Sequence, residues 1–111
     1  MQNQVTVTFR DMDGSDFVRD AVDAEAKKLE KHHDNITACR VVIAAPNRHT
    51  KGTHFAVHLE VSVPGKDIVV SHDPDQKHRN EDGYTAIRDA FKSARRQLDD
   101  FRGKREARRH S

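Results

Sequence analysis

The sequence predicts a small α+β domain of order β-α-β-β-β-α, a four-stranded sheet with two helices packed on one face. Three observations carry this. Over residues 82–109, Tyr84, Ile87, Phe91, Ala94, Leu98 and Phe101 recur three or four residues apart, one apolar stripe along a helix of about five turns. Residues 54–63 alternate cleanly, with Phe55, Val57, Leu59, Val61 and Val63 to one side and His54, Ala56, His58, Glu60 and Ser62 to the other. Both predicted helices have a single apolar stripe, so they can share one face of a sheet whose other face meets water.

The elements follow in order. Residues 4–9 alternate, with Val5, Val7 and Phe9 opposite Thr6 and Thr8, which is the pattern of a half-buried strand. The segment 11–14 breaks it, and Ser15 is placed to cap a helix whose first turns carry Asp16 and Asp20. Val18, Val22, Ala26 and Leu29 mark that helix's buried stripe, with Phe17 and Ala21 alongside. Lys27, Lys28, Lys31 and His32 complement its negative end. Residues 36–45 are β-branched and apolar, with Cys39, Val41 and Ile43 on one face, and Pro46 ends them. A polar turn at 47–53 leads into the strand at 54–63. Pro64-Gly65 turns the chain into a fourth strand at 68–71. A polar loop at 72–81 precedes the long helix, which Asn80 or Asp82 would cap. Residues 1–105 read as one domain and 106–111 as a basic tail that frays.

Composition excludes several classes. The chain has 111 residues, 34% hydrophobic and 34% charged, with mean hydropathy -0.92, and no apolar run approaches the length of about 20 residues that spans a bilayer. No signal pattern precedes Val5, and the single Cys39 lies in an apolar run, so the expectation is a reducing cytoplasm. Catalysis lacks its parts, with no glycine-rich phosphate loop and no Gly-x-Ser-x-Gly. The pair Asp11 and Asp13 fits a turn before a capped helix. Eight histidines invite a metal reading. However, His54 and His58 would lie about 13 Å apart along a strand, too far for one ion. The segment 72–78 holds two His and two Asp but no recognised ligand spacing, so no metal or other cofactor is expected.

Charge distribution is more informative than its total of +2. Residues 84–111 hold nine Lys/Arg against four Asp/Glu, and residues 1–83 hold 11 against 14. This asymmetry points to a polyanionic partner, most simply nucleic acid. Tyr84 and Phe91 fall on the apolar stripe and read as core, since base-stacking platforms must be exposed. The binding candidates are therefore two cationic groups, Lys27, Lys28 and Lys31 on the first helix and Lys92, Arg95, Arg96 and Arg102 on the second. If the helices pack side by side, the groups form one surface, which would read phosphate positions rather than base identity.

Tyr84-Thr85-Ala86-Ile87 after an acidic pair, Arg96-Gln97-Leu98 downstream, and Lys28-Leu29-Glu30-Lys31 at the end of the first helix resemble the ribosome hibernation factors. This is the family of hibernation promoting factor and ribosome-associated inhibitor A, also called the sigma-54 modulation protein family. Met12-Asp13 followed by Ser15 is similar to the family's turn before the first helix. The resemblance implies a fold similar to double-stranded RNA-binding domains. It also implies binding in the decoding channel of the small ribosomal subunit, against ribosomal RNA, where messenger and transfer RNA are excluded sterically and without chemistry. Matching to the family's basic helix positions implies Lys28, Lys31, Arg96 and Lys104. The charge pattern adds Lys27, Lys92, Arg95, Arg102 and Arg105. Glu25 and the pair Asp99-Asp100 put negative charge where relatives are often basic or neutral. The chain looks like a short, stand-alone form, monomeric, with no membrane and no small-molecule substrate. Two other readings share parts of this physics: a general structured-RNA binder, and a regulatory module whose ligand is a protein.

Overall fold

A computed structural model describes residues 4–44, 56–72 and 83–110. The elements are β1 (Gln4–Arg10), α1 (Asp16–His32), β2 (Ala38–Ala44), β3 (Ala56–Val63), β4 (Lys66–His72) and α2 (Gly83–His110). The turn expected at 47–53, His54 and Phe55, the metal reading of 73–78, the capping residues Asn80 and Asp82, and the side chains of Tyr84 and Arg105 lie outside the described residues.

The strands form one sheet in the order β1-β2-β3-β4. β2, β3 and β4 are a meander, antiparallel in register Val41↔Leu59 and Leu59↔Val70. β1 lies parallel to β2, with Val7 opposite Val41, so the sheet is mixed. A parallel pair needs a crossover, and α1 supplies it. At the β3–β4 turn, Pro64 sets the first corner, and Gly65 takes the second at φ 87°, which a side chain would strain.

Alternation decides the faces. Cys39, Val41, Ile43, Val57, Leu59, Val61, Val63, Ile68 and Val70 are buried beneath the helices. Thr6, Thr8, Arg40 and Val69 lie exposed on the opposite face, beside half-buried His58 and Glu60. There His58 bonds Ser71 Oγ at 3.0 Å and Glu60 Oε1 at 3.3 Å. α1 covers β1, α2 covers β3 and β4, and the helices pack on each other.

α1 begins where expected, with Ser15 Oγ accepting from the Val18 amide at 3.3 Å. Val22, Ala26 and Leu29 form its buried stripe, as the spacing predicts. Phe17 does not join them. It is 67% exposed, because one residue before Val18 is a rotation of about 100° on a helix. On α2, Ile87, Phe91, Ala94 and Leu98 are buried with Ala86 and Ala90, and Phe101 is partly buried. The helix continues through His110, beyond residue 105 where the sequence reading ends the domain. Lysine, arginine, glutamate and alanine are good helix formers, and cations suit a helix C-terminus, which accounts for the extension. At about 1.5 Å per residue, α2 is roughly 42 Å long against roughly 23 Å for a seven-residue strand. Its cationic end therefore overhangs the sheet.

Cys39 belongs to the core. Burial, with the Glu30 carboxylate adding to it, pushes its thiol from 9.0 up to about 12. At neutral pH it should carry on the order of a thousandfold less thiolate than an unfolded thiol, so native protein should resist iodoacetamide and react only in denaturant. The neutral thiol favours the folded state. That contribution is whole below about pH 9, the unfolded value, and is lost as pH rises towards about 12. Alkylation of native protein at the denatured rate would contradict this placement.

Candidate nucleic-acid interface

The packing of α1 on α2 turns two separate charge patterns into one feature. Along the seam runs a groove lined by Glu25, Lys28, Leu29 and His32 from α1 and by Arg88, Phe91, Lys92 and Arg95 from α2. Arg88 and Arg95 stand three or four positions from Phe91, and Lys28 and Lys92 stand one position from Leu29 and Phe91, so the packing that buries the stripes carries these cations to the seam. Towards the N-terminal end of α1 the groove continues past Ala21 and Ala24, with Glu25, Lys28 and Arg88 still lining it.

The sequence-predicted cations divide into several settings. Lys28, Lys92 and Arg95 line the groove together. Arg96 lies on the outer flank of α2, in a shallow depression shared with Asp89, Lys92 and Ser93. Lys27 is held by Asp23 at 3.1 Å, and Lys28 by Glu25 at 3.2 Å. Exposed pairs of this kind stabilise by at most about 1 kcal/mol, so an incoming phosphate can replace the carboxylate. Lys31 and Lys104 are exposed. Arg102 reaches the opposite helix, its Nη1 donating to the His32 carbonyl at 3.5 Å, at the negative end of α1.

Three residues outside the predicted set belong to this surface or its support. Arg88 lines the groove one turn before Lys92. The signal was present in its position off the apolar stripe. His32 Nδ1 lies 3.4 Å from Arg95 Nη2, on the α1 side of the seam. His33, among the described residues the one buried polar side chain, bonds through Nε2 to Asp99 Oδ1 at 2.7 Å. The other Asp99 oxygen lies 4.0 Å from Arg95 Nε. Asp99 is thus not merely a negative charge set against the cationic face. It ties the end of α1 to α2 and steadies Arg95.

Among the described residues, no group of three or more His, Cys, Asp or Glu could hold a metal ion, and no helix is long and apolar enough to cross a membrane.

With the geometry established, comparison with known proteins bears on the site. A family model described as "Sigma 54 modulation protein / S30EA ribosomal protein" matches residues 5–106. The chain belongs to this family. Two solved structures share the family fold. One is the protein Y N-terminal domain of Thermus thermophilus, at 22% identity and TM-score 0.68, covering 86% of this chain and 94% of that one. The other is a ribosomal subunit interface protein from Coxiella burnetii, at 16% identity and TM-score 0.71, covering 90% and 98%. No curated protein sequence matches the chain. The family is one of ribosome-associated factors that bind ribosomes and regulate translation, and in this member the seam between the helices gathers Lys28, Arg88, Lys92 and Arg95.

Removing the Asp99 carboxylate leaves the buried His33 nitrogen without its partner. Asp99→Ala should cost about 1–3 kcal/mol in denaturant unfolding, whereas Asp100→Ala, at the exposed neighbouring position, should stay within about 0.5 kcal/mol. Equal effects from the two substitutions would contradict the tie.

Proposed function

We propose that this protein is a ribosome hibernation factor that seats its two-helix face on ribosomal RNA of the small subunit. There it lies in the decoding channel and excludes messenger and transfer RNA. The observation that carries the reading is the groove in which Lys28, Arg88, Lys92 and Arg95 converge from two helices, in a chain of the S30EA ribosomal protein family. The similarity in fold to a ribosomal subunit interface protein of Coxiella burnetii agrees with a site between subunits or on the face of one.

The mechanism is occupancy, not chemistry. Guanidinium and ammonium groups replace condensed counterions at phosphates, and the released ions supply much of the affinity. Arginine adds planar donors that match phosphate oxygens in pairs. The body of the domain then fills space that the translation substrates need. No cofactor enters this account, and the protein works as a cytoplasmic monomer. A protein-binding module would show far weaker dependence on salt, since neutralising several phosphates makes affinity fall linearly on a log–log scale, with slope about -0.7 to -0.9 per phosphate.

The test is sedimentation with vacant small ribosomal subunits at low and high salt, for the wild type and for a variant with Lys28, Lys31, Arg95 and Arg96 changed to Glu. Stoichiometric binding that weakens with salt and disappears in the folded variant, as judged by circular dichroism, is the expected result. Competition by messenger or initiator transfer RNA then places the binding in the channel and separates it from general RNA binding. Absence of binding at low salt overturns the reading.

A further inference from the structure

One contact across the seam exists in a single protonation state. His32 Nδ1 lies 3.4 Å from Arg95 Nη2. Guanidinium only donates, so Nδ1 accepts and the ring's own proton sits on Nε2. That arrangement holds for neutral imidazole alone. An added proton turns Nδ1 into a donor, and two donors, each on a cation, then face each other. His32 is exposed, unlike buried His33 beside it, so a ligand can reach the ring.

The groups around the ring decide what an added proton does. Glu25 and Lys28 from α1 and Arg88, Lys92 and Arg95 from α2 line the same groove. Arg102 donates to the His32 carbonyl, and Asp99 lies behind Arg95. Along the chain, exposed Lys31 precedes the ring and exposed Asp34 follows it. The carboxylates within the seam are engaged, Glu25 with Lys28 at 3.2 Å and Asp99 with His33 at 2.7 Å. Arg95 is thus braced by Asp99 on its Nε side and by His32 on its Nη2 side. A phosphate set between His32 and Arg95 accepts from both, and its negative charge favours imidazolium over the neutral ring.

We infer that His32 and Arg95 together grip one backbone phosphate of the bound RNA, with His32 entering the complex as imidazolium. Binding then takes up a proton. The bound state holds more protons than the free state, so by linkage acid favours it. Affinity therefore rises as pH falls through the range in which histidine titrates, about pH 6 to 7. Lysine and arginine stay charged throughout that range, which leaves His32 as the donor of the seam whose charge can change. The inference rests on the RNA-binding reading above and adds to it a contact that responds to acidification.

The test is the affinity for vacant small ribosomal subunits at constant ionic strength, from about pH 8 to about pH 6. Wild type is compared with His32→Gln and His32→Lys. Glutamine can still accept from Arg95 but takes no proton, and lysine is charged at every pH used. Wild type should gain about tenfold on acidification relative to His32→Gln, since one proton taken up changes affinity by at most about tenfold per pH unit. His32→Lys should lack that gain and should bind at about pH 8 at least as tightly as wild type. Taking each ratio to His32→Gln removes the titration of other histidines and of the subunits themselves. Parallel profiles for wild type and His32→Gln, with both binding in a salt-dependent way, would overturn the inference and leave the RNA-binding reading intact. Wild-type binding that weakens in acid relative to His32→Gln would make the neutral ring the bound form and overturn it equally. Failure of wild type to bind subunits at low salt would overturn both readings. Should one variant misfold, the other carries the comparison.

Discussion

The structure depends on one apolar stripe finding two partners. Ile87, Phe91, Ala94 and Leu98 run along α2 and are nearly wholly buried, with β3 and β4 beneath and α1 beside them. A four-stranded sheet has room for two helices on one face, and burying the stripes of both forces them side by side. On α2, Phe91 and Leu98 each have arginines three or four positions away, Arg88 and Arg95 for the first and Arg95 and Arg102 for the second. The same contact that closes the core therefore sets Arg88, Lys92 and Arg95 against the α1 residues Lys28 and His32. The proposed interface is thus displayed by folding rather than added to it, since it is the back of the core.

Acidic residues shape this surface as much as the basic ones. The chain's net charge is only +2, so the attraction to RNA proposed above would come from arrangement. Asp23 and Glu25 hold Lys27 and Lys28 in exposed pairs that exchange cheaply for phosphate. Asp99 is spent differently, on buried His33, and through that bond the last turn of α1 is fixed to the middle of α2. Arg95 and Arg102 both reach towards His32 at the same end, so the cations sit on a braced part of the fold.

Most of the fold was legible because it is written in local periods. The stripe of α2, the alternation over Val57 to Val63, the Ser15 cap and the Pro64-Gly65 turn each declare their structure within a few residues. What escaped is long-range. Alternation identifies β1 as a strand but says nothing of its partner, and its parallel pairing with β2 follows only once α1 is placed as a crossover. The His33–Asp99 bond joins residues 66 apart and has no signature in either neighbourhood. Phe17 is apolar and near the stripe, yet its angular position leaves it outside. The cationic groups were visible as charge at helical spacing, but their convergence required the packing, and Arg88 gained its place only from the groove.

Chemical footprinting of lysines by acetylation, with and without bound small ribosomal subunits and read by mass spectrometry, tests the central claim most directly. Lys28 and Lys92 line the seam, whereas Lys66 lies exposed at the β3–β4 turn. Protection of Lys28 and Lys92 with Lys66 still reactive is the result this account predicts. Protection of Lys66 while Lys28 and Lys92 react as in the free protein would contradict it, placing the ribosome at the β3–β4 turn rather than on the seam between the helices.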